Sequence, residues 1–144
     1  MLKKLLENNL VTINSDKHNW EEAVAISGEL LKQEGYIEQS YIDEIVENVK
    51  EHGPYIVLIP GVAMPHATVG AKGVIKTGMS LTIFKENIHF EEDKEARLFF
   101  TICTNDSEAH MQNITNLMEF LMQEELVEKL KQVDSIEDVK ALVQ

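Results

Sequence analysis

Thiols are nearly absent from this chain, whose one cysteine is Cys103. A single thiol cannot build a disulfide framework, so a reducing, cytoplasmic setting is the expectation. Long apolar runs are missing as well. No stretch approaches the roughly 18 apolar residues that read as a membrane-spanning helix. Met1–Leu10 carries two lysines but passes at once into charged and polar residues, so it does not read as a secretion signal. Basic residues are scarce: 13 Lys and Arg stand against 25 Asp and Glu, a formal net charge of −12 at pH 7. Nucleic acid needs Lys and Arg to neutralise its phosphates, so it is not an expected partner. An anionic membrane surface would repel the chain. No Walker-type glycine-rich loop is present, which argues against direct use of ATP. No ligand pair has a recognisable metal spacing such as His-x-x-x-His. A metal-dependent hydrolase is therefore disfavoured, and neither a metal nor a cofactor is expected.

What the chain does have is enough apolar material for a core, 44% of 144 residues. Nothing reads as a linker or a repeat, so residues 1–144 are expected to form one domain. A short helix is possible over 1–8, and Leu10–Ile13 alternates weakly like a strand. From Asn19, a predicted N-cap, Trp20, Ala23, Val24, Ser27, Leu30 and Leu31 recur at helical spacing. A second helix is predicted from Ser40 to Glu51, ended by Gly53-Pro54. Tyr55–Ile59 is a β-branched run between prolines and reads as a buried strand. Pro60-Gly61 and Pro65 then predict a turn-rich passage. Val74–Phe84 and Arg97–Cys103 read as further strands, with the acidic Glu91–Glu95 between them as a solvated turn. A helix follows from Ser107 or Asp106 to Met122. Shorter amphipathic pieces lie near 124–131 and 135–143. Helices, then strands, then helices predict an α/β fold, a three-layer α/β/α domain with a small mixed β-sheet flanked by helices.

One segment carries the chemistry: Gly53-Pro-Tyr-Ile-Val-Leu-Ile-Pro-Gly-Val-Ala-Met-Pro-His66-Ala-Thr68. Imidazole titrates near pH 6.5, so much of it is neutral and nucleophilic at neutral pH. Pro65 fixes its own φ and pushes Met64 towards extended geometry, so His66 is presented on a stiff backbone. Thr68 supplies a hydroxyl. Gly70 and Gly73 are expected to let backbone N–H groups approach a bound anion.

Pro-Gly-Val-Ala-Met-Pro-His66 resembles the Gly-(aliphatic)-Ala-(aliphatic)-Pro-His signature of the enzyme IIA components of the bacterial sugar phosphotransferase system, fructose/mannitol branch. Glu51-His-Gly-Pro-Tyr55 and Gly73-Val-Ile-Lys-Thr-Gly78 look most like the ascorbate-type members. The resemblance implies that His66 takes a phosphoryl group from the phosphocarrier HPr and passes it to a cysteine of a IIB protein. The membrane IIC component, not IIA, handles the sugar. The resemblance also implies a second active-site histidine at a helix start, which falls on His110 in Asp106-Ser-Glu-Ala-His110. Read from its own surroundings, His110 lies in a first helical turn capped near Ser107, where the dipole and free N–H groups favour phosphate.

The family further places a cation near the end of the helix before the signature strand, for which Lys50 and His52 are the candidates. Cys103, at the end of an apolar strand, reads as a buried and inert thiol. A nitrogen-type regulatory IIA, acting by phosphorylation-dependent protein binding, is the alternative within the same family. Oligomeric state, a homodimer included, is left open.

Overall fold

The computed structural model describes residues 1–144. It begins with α1 (Leu2–Glu7) and β1 (Val11–Asn14). α2 (Trp20–Gln33) starts on Asn19 through a reciprocal capping box. The Asn19 side chain accepts from the Glu22 N–H at 2.8 Å, and the Glu22 carboxylate accepts from the Asn19 N–H at 3.0 Å. α3 (Gln39–His52) follows and ends at Gly53.

The strands depart most from the sequence reading. Tyr55–Ile59 is not one five-residue strand. Tyr55 and Ile56 lie in a turn, and β2 spans only Val57–Ile59. The passage read as turns re-enters the sheet as β3 (Gly61–Ala63), antiparallel to β2. β4 (Gly78–His89) and β5 (Glu95–Cys103) are longer at their facing ends than predicted and form a hairpin around the acidic turn. α4 (Ser107–Leu121), α5 (Glu124–Lys131) and α6 (Ile136–Leu142) close the chain. No helix is long and apolar enough to cross a membrane.

The five strands form one mixed sheet in the order β1-β4-β5-β3-β2. β1 runs parallel to β4 and β3 parallel to β5, while β4 and β5 are antiparallel. Side-chain alternation assigns the two faces. Ser80 and Thr101, paired across β4 and β5, point at α2. Thr101 Oγ1 donates to Ser27 Oγ at 3.0 Å, and Ser27 Oγ donates to the Val24 carbonyl at 2.8 Å. The neighbouring Phe100 points the other way and meets Phe120 of α4, with centroids 5.8 Å apart. Lys85 also lies on that second face and reaches the Val133 carbonyl and Asp134, between α5 and α6. Helices thus cover both faces, the predicted three layers. A single cluster of 33 buried apolar residues runs through them. Leu81, Ile83, Phe84, Leu98, Phe99 and Phe100 have no accessible surface. Each such side chain contributes about 1.5–3 kcal/mol by leaving water.

Candidate functional site

Because β3 and β5 are parallel neighbours, their carboxyl ends lie side by side at one edge of the sheet. In α/β sheets this edge is where ligands collect. β3 runs through Met64-Pro65 directly into His66. β5 runs through Thr104–Asp106 directly into α4, which carries His110. The Ile102 N–H donates to the Pro65 carbonyl at 3.0 Å, extending the strand pairing to the residue before His66. The two imidazoles consequently meet, with centroids 6.0 Å apart and planes tilted by 44°.

His66 Nδ1 lies 2.7 Å from the Met64 carbonyl oxygen. A carbonyl can only accept, so Nδ1 carries the proton and a neutral ring keeps its lone pair on Nε2. Burial lowers the pKa of His66 from the ordinary 6.5. The hydrogen bond to Met64 opposes that shift, and the nearby His110 reinforces it. The ring is therefore held neutral at neutral pH, with one nitrogen tied down and the other nucleophilic. His110 Nδ1 faces Thr104 Oγ1 at 3.4 Å. Thr104 is buried at the end of β5, so the second ring has its own polar neighbour.

The expected supporting residues are placed less simply. Thr68 is exposed, and its backbone N–H donates to the Glu44 carboxylate at 3.0 Å, so that donor is already engaged. The sequence expectation that Gly70 and Gly73 present N–H groups to an anion fails for Gly70, whose N–H is already engaged. The Gly70 N–H donates to the Thr104 carbonyl at 2.8 Å with φ at +73°. A Cβ on Gly73 would lie 2.8 Å from the Tyr41 nitrogen, so this glycine is needed for close packing against α3. Ser107 is an exposed first-turn residue of α4 and not its cap. The cap is Asp106, whose side chain accepts from the Ala109 N–H at 2.8 Å. A carboxylate suits the positive helix end at least as well as a hydroxyl.

Lys50 and His52 are engaged with carboxylates of their own surroundings. Lys50 pairs with Glu21 and Glu47, and His52 pairs with Glu51 at the exposed end of α3. For Lys50 the reason is helical phase, whereas His52, four residues after Asn48, shares that phase but is the last, exposed residue of the helix. Tyr41, Glu44 and Asn48, spaced i, i+3, i+7, share the face of α3 that looks at the His66 loop, and Lys50 lies about 200° round the helix from Asn48. Asn48 lies beside the Tyr55 hydroxyl and brings an amide to this face.

Sequence reasoning missed four of these residues: Tyr41, Glu44, Tyr55 and Thr104. The Tyr41 hydroxyl accepts from the Ala67 N–H at 3.0 Å and donates to the Ile102 carbonyl at 2.8 Å. The Tyr55 hydroxyl donates to the His66 carbonyl at 2.6 Å. The i, i+3 spacing of Tyr41 and Glu44 was visible, but nothing local linked that helical face to a loop more than twenty residues on. Cys103 takes no part in the site. It is buried, donates to the Lys76 carbonyl, and is pushed up to about 12 by burial.

Residues 4–144 match the family described as phosphoenolpyruvate-dependent sugar phosphotransferase system, EIIA 2. The chain belongs to this family. It is 38% identical over 125 residues to a mannitol-specific cryptic phosphotransferase enzyme IIA component of Escherichia coli, covering 86% of this chain and 84% of that protein. An ascorbate-specific EIIA component of Salmonella choleraesuis is 35% identical over 121 residues, covering 80% and 78%. Among solved structures, the complex of enzyme IIA and phosphorylated enzyme IIB of the E. coli mannitol system matches with a TM-score of 0.76 at 33% identity, covering 91% of this chain and 92% of that one. This EIIA chain is accordingly a phosphoryl-transfer component of the sugar phosphotransferase system.

Proposed function

We propose that this EIIA carries its phosphoryl group on His66 Nε2, accepts it from phospho-HPr and passes it to a cysteine of a IIB protein. The observation that carries the reading is the bond from His66 Nδ1–H to the Met64 carbonyl, which leaves Nε2 as the unprotonated nitrogen. In the transfer the Nε2 lone pair forms the N–P bond as the donor's own N–P bond breaks, and the donor imidazole leaves as a neutral base. The step to IIB forms an S–P bond on its thiolate and frees His66 again.

His110 flanks the phosphoryl oxygens. Its Nδ1 faces the Thr104 hydroxyl at 3.4 Å, which leaves Nε2 outside that contact for this task. Such a transition state is loose, its charge spread over three oxygens, so positioning and donors do most of the work. Thr68 and Ser107 stand as outer polar neighbours on the two sides. Residues 1–144 act as one domain in this reading. For the carbohydrate, the flanks Glu51–Tyr55 and Gly73–Gly78 favour ascorbate or a related sugar.

The test supplies phosphoenolpyruvate and the donor proteins and follows intact mass. One acid-labile, base-stable phosphoryl group is expected on the wild type and none on His66→Ala. An unmodified wild type, or a His66→Ala variant that is still modified, overturns the assignment. Transfer to ascorbate-type and mannitol-type IIB proteins, compared side by side, decides the cargo.

A further inference from the structure

The peptide unit joining His66 to Ala67 has one acceptor and one donor, and a tyrosine hydroxyl meets each. The two tyrosines are not equivalent. Tyr41 is buried, and its hydroxyl, which both accepts and donates, ties the peptide to Ile102 in β5. Its role is to hold the loop on the sheet. Tyr55 is 37% exposed, outside the core. Its hydroxyl lies 2.6 Å from the His66 carbonyl, and its ring stands at 86° to the imidazole with centroids 5.3 Å apart. Tyr55 therefore touches His66 twice, once on the backbone and once on the ring.

Those two contacts constrain different freedoms. Backbone rotation at His66 would swing the imidazole off the Met64 carbonyl, and the hydroxyl bond opposes it. Ring rotation about Cβ–Cγ would replace Nδ1 with the Cδ2–H at the Met64 carbonyl and lose the bond that fixes the tautomer, and the edge-on aromatic wall opposes that. We propose that Tyr55 is the positioning residue for phosphoryl transfer at His66, locking the imidazole in the orientation and tautomer that present Nε2 to the donor. The inference rests on His66 being the phosphoryl acceptor. Burial raises the pKa of the phenol, so it remains a donor wherever His66 is neutral.

Tyr55→Phe removes the hydroxyl and keeps the wall, while Tyr55→Leu removes both. Two readouts are needed: initial rates of transfer against phospho-HPr concentration, and the ¹⁵N shifts of the His66 ring without any donor. Tyr55→Phe is expected to lower kcat about tenfold with KM for the donor unchanged, and Tyr55→Leu about a hundredfold, the scale of a misplaced reacting group. The ring shifts should move from the Nδ1–H form towards a mixture of tautomers. A merely structural role would lower the melting temperature and leave the tautomer unchanged, which would overturn the proposal. So would wild-type kcat and unchanged ring shifts in both variants. The outcomes separate the two readings. A wild type that takes no phosphoryl group on His66 sinks the functional reading and this one together. A phosphorylated wild type matched by its Tyr55 variants sinks only this one.

Discussion

Around His66 the loop is tied down on nearly every side. The carbonyls of Met64, Pro65 and His66 accept from the His66 ring, the Ile102 N–H and the Tyr55 hydroxyl, and the N–H groups of Ala67 and Thr68 donate to Tyr41 and Glu44. His110 stands one helical turn into α4, and its ring has a single polar neighbour, Thr104 at 3.4 Å. On the proposed function, the contrast separates two tasks. A nucleophile must be aimed before its partner arrives, so its orientation is built in from α3, β5 and the turn before β2. A group that stabilises charge appearing only during transfer needs a helix start and room to adjust.

The contrast can be broken from the His110 side first. Replacing His110 with Ala is expected to slow phosphoryl transfer about a hundredfold, the usual cost of one donor aimed at developing charge. Rapid-quench kinetics would read this, with the modified residue still His66. A loss below twofold would leave His110 a bystander. On the other side, Tyr41→Phe strands the Ala67 N–H and withdraws a donor from the Ile102 carbonyl. Urea denaturation should show a loss of about 2 kcal/mol, the scale of unsatisfied buried polar groups. If stability is unchanged, the loop is held by other bonds.

The pH dependence is a smaller effect with a definite sign. The folded-state pKa of His66 lies below 6.5, chiefly through burial. Folding therefore favours the neutral ring, and that contribution to stability is present above 6.5 and is lost as pH falls through the lowered value. The transfer rate should be flat through neutrality and fall only on the acid side of 6.5. His110→Ala should move the acid limb slightly upward by removing a neighbour that favours the neutral form. NMR titration of the His66 ring checks both, and an inflection above 6.5 would contradict them. Smallest of all, Lys50→Ala and His52→Ala should change transfer less than twofold, since both face other carboxylates at the surface. A larger loss would bring the expected cation back into the site.

Helices α2, α4, α5 and α6 were legible because their evidence is local: apolar residues at helical spacing, with Asn19 and Ser135 as caps. The start of α4 was narrowed to Asp106 or Ser107, and only the backbone geometry chose the aspartate. β3 was invisible for a different reason. Three residues between Pro60 and Met64 have no periodicity to detect, and β5, which makes them a strand, lies more than thirty residues further on. Lys50 and His52 were chosen for their charge, but the helical phase of α3 turns Lys50 from the His66 loop, and His52, on the phase of Asn48, lies exposed beside Glu51 at the helix end.

The sequence by itself determined the family through Pro-Gly-Val-Ala-Met-Pro-His66, the stiff presentation of that imidazole, and a histidine in the first turn of a helix. These depend on bonded geometry and neighbours a few residues apart. Only the tertiary structure decided that the two imidazoles meet, that Nδ1 of His66 is the tied nitrogen, and that two tyrosines clamp the peptide after it. Those facts depend on the parallel pairing of β3 with β5 and on the face that α3 turns to the loop. Such pairings join residues far apart in the chain, and no local propensity encodes them.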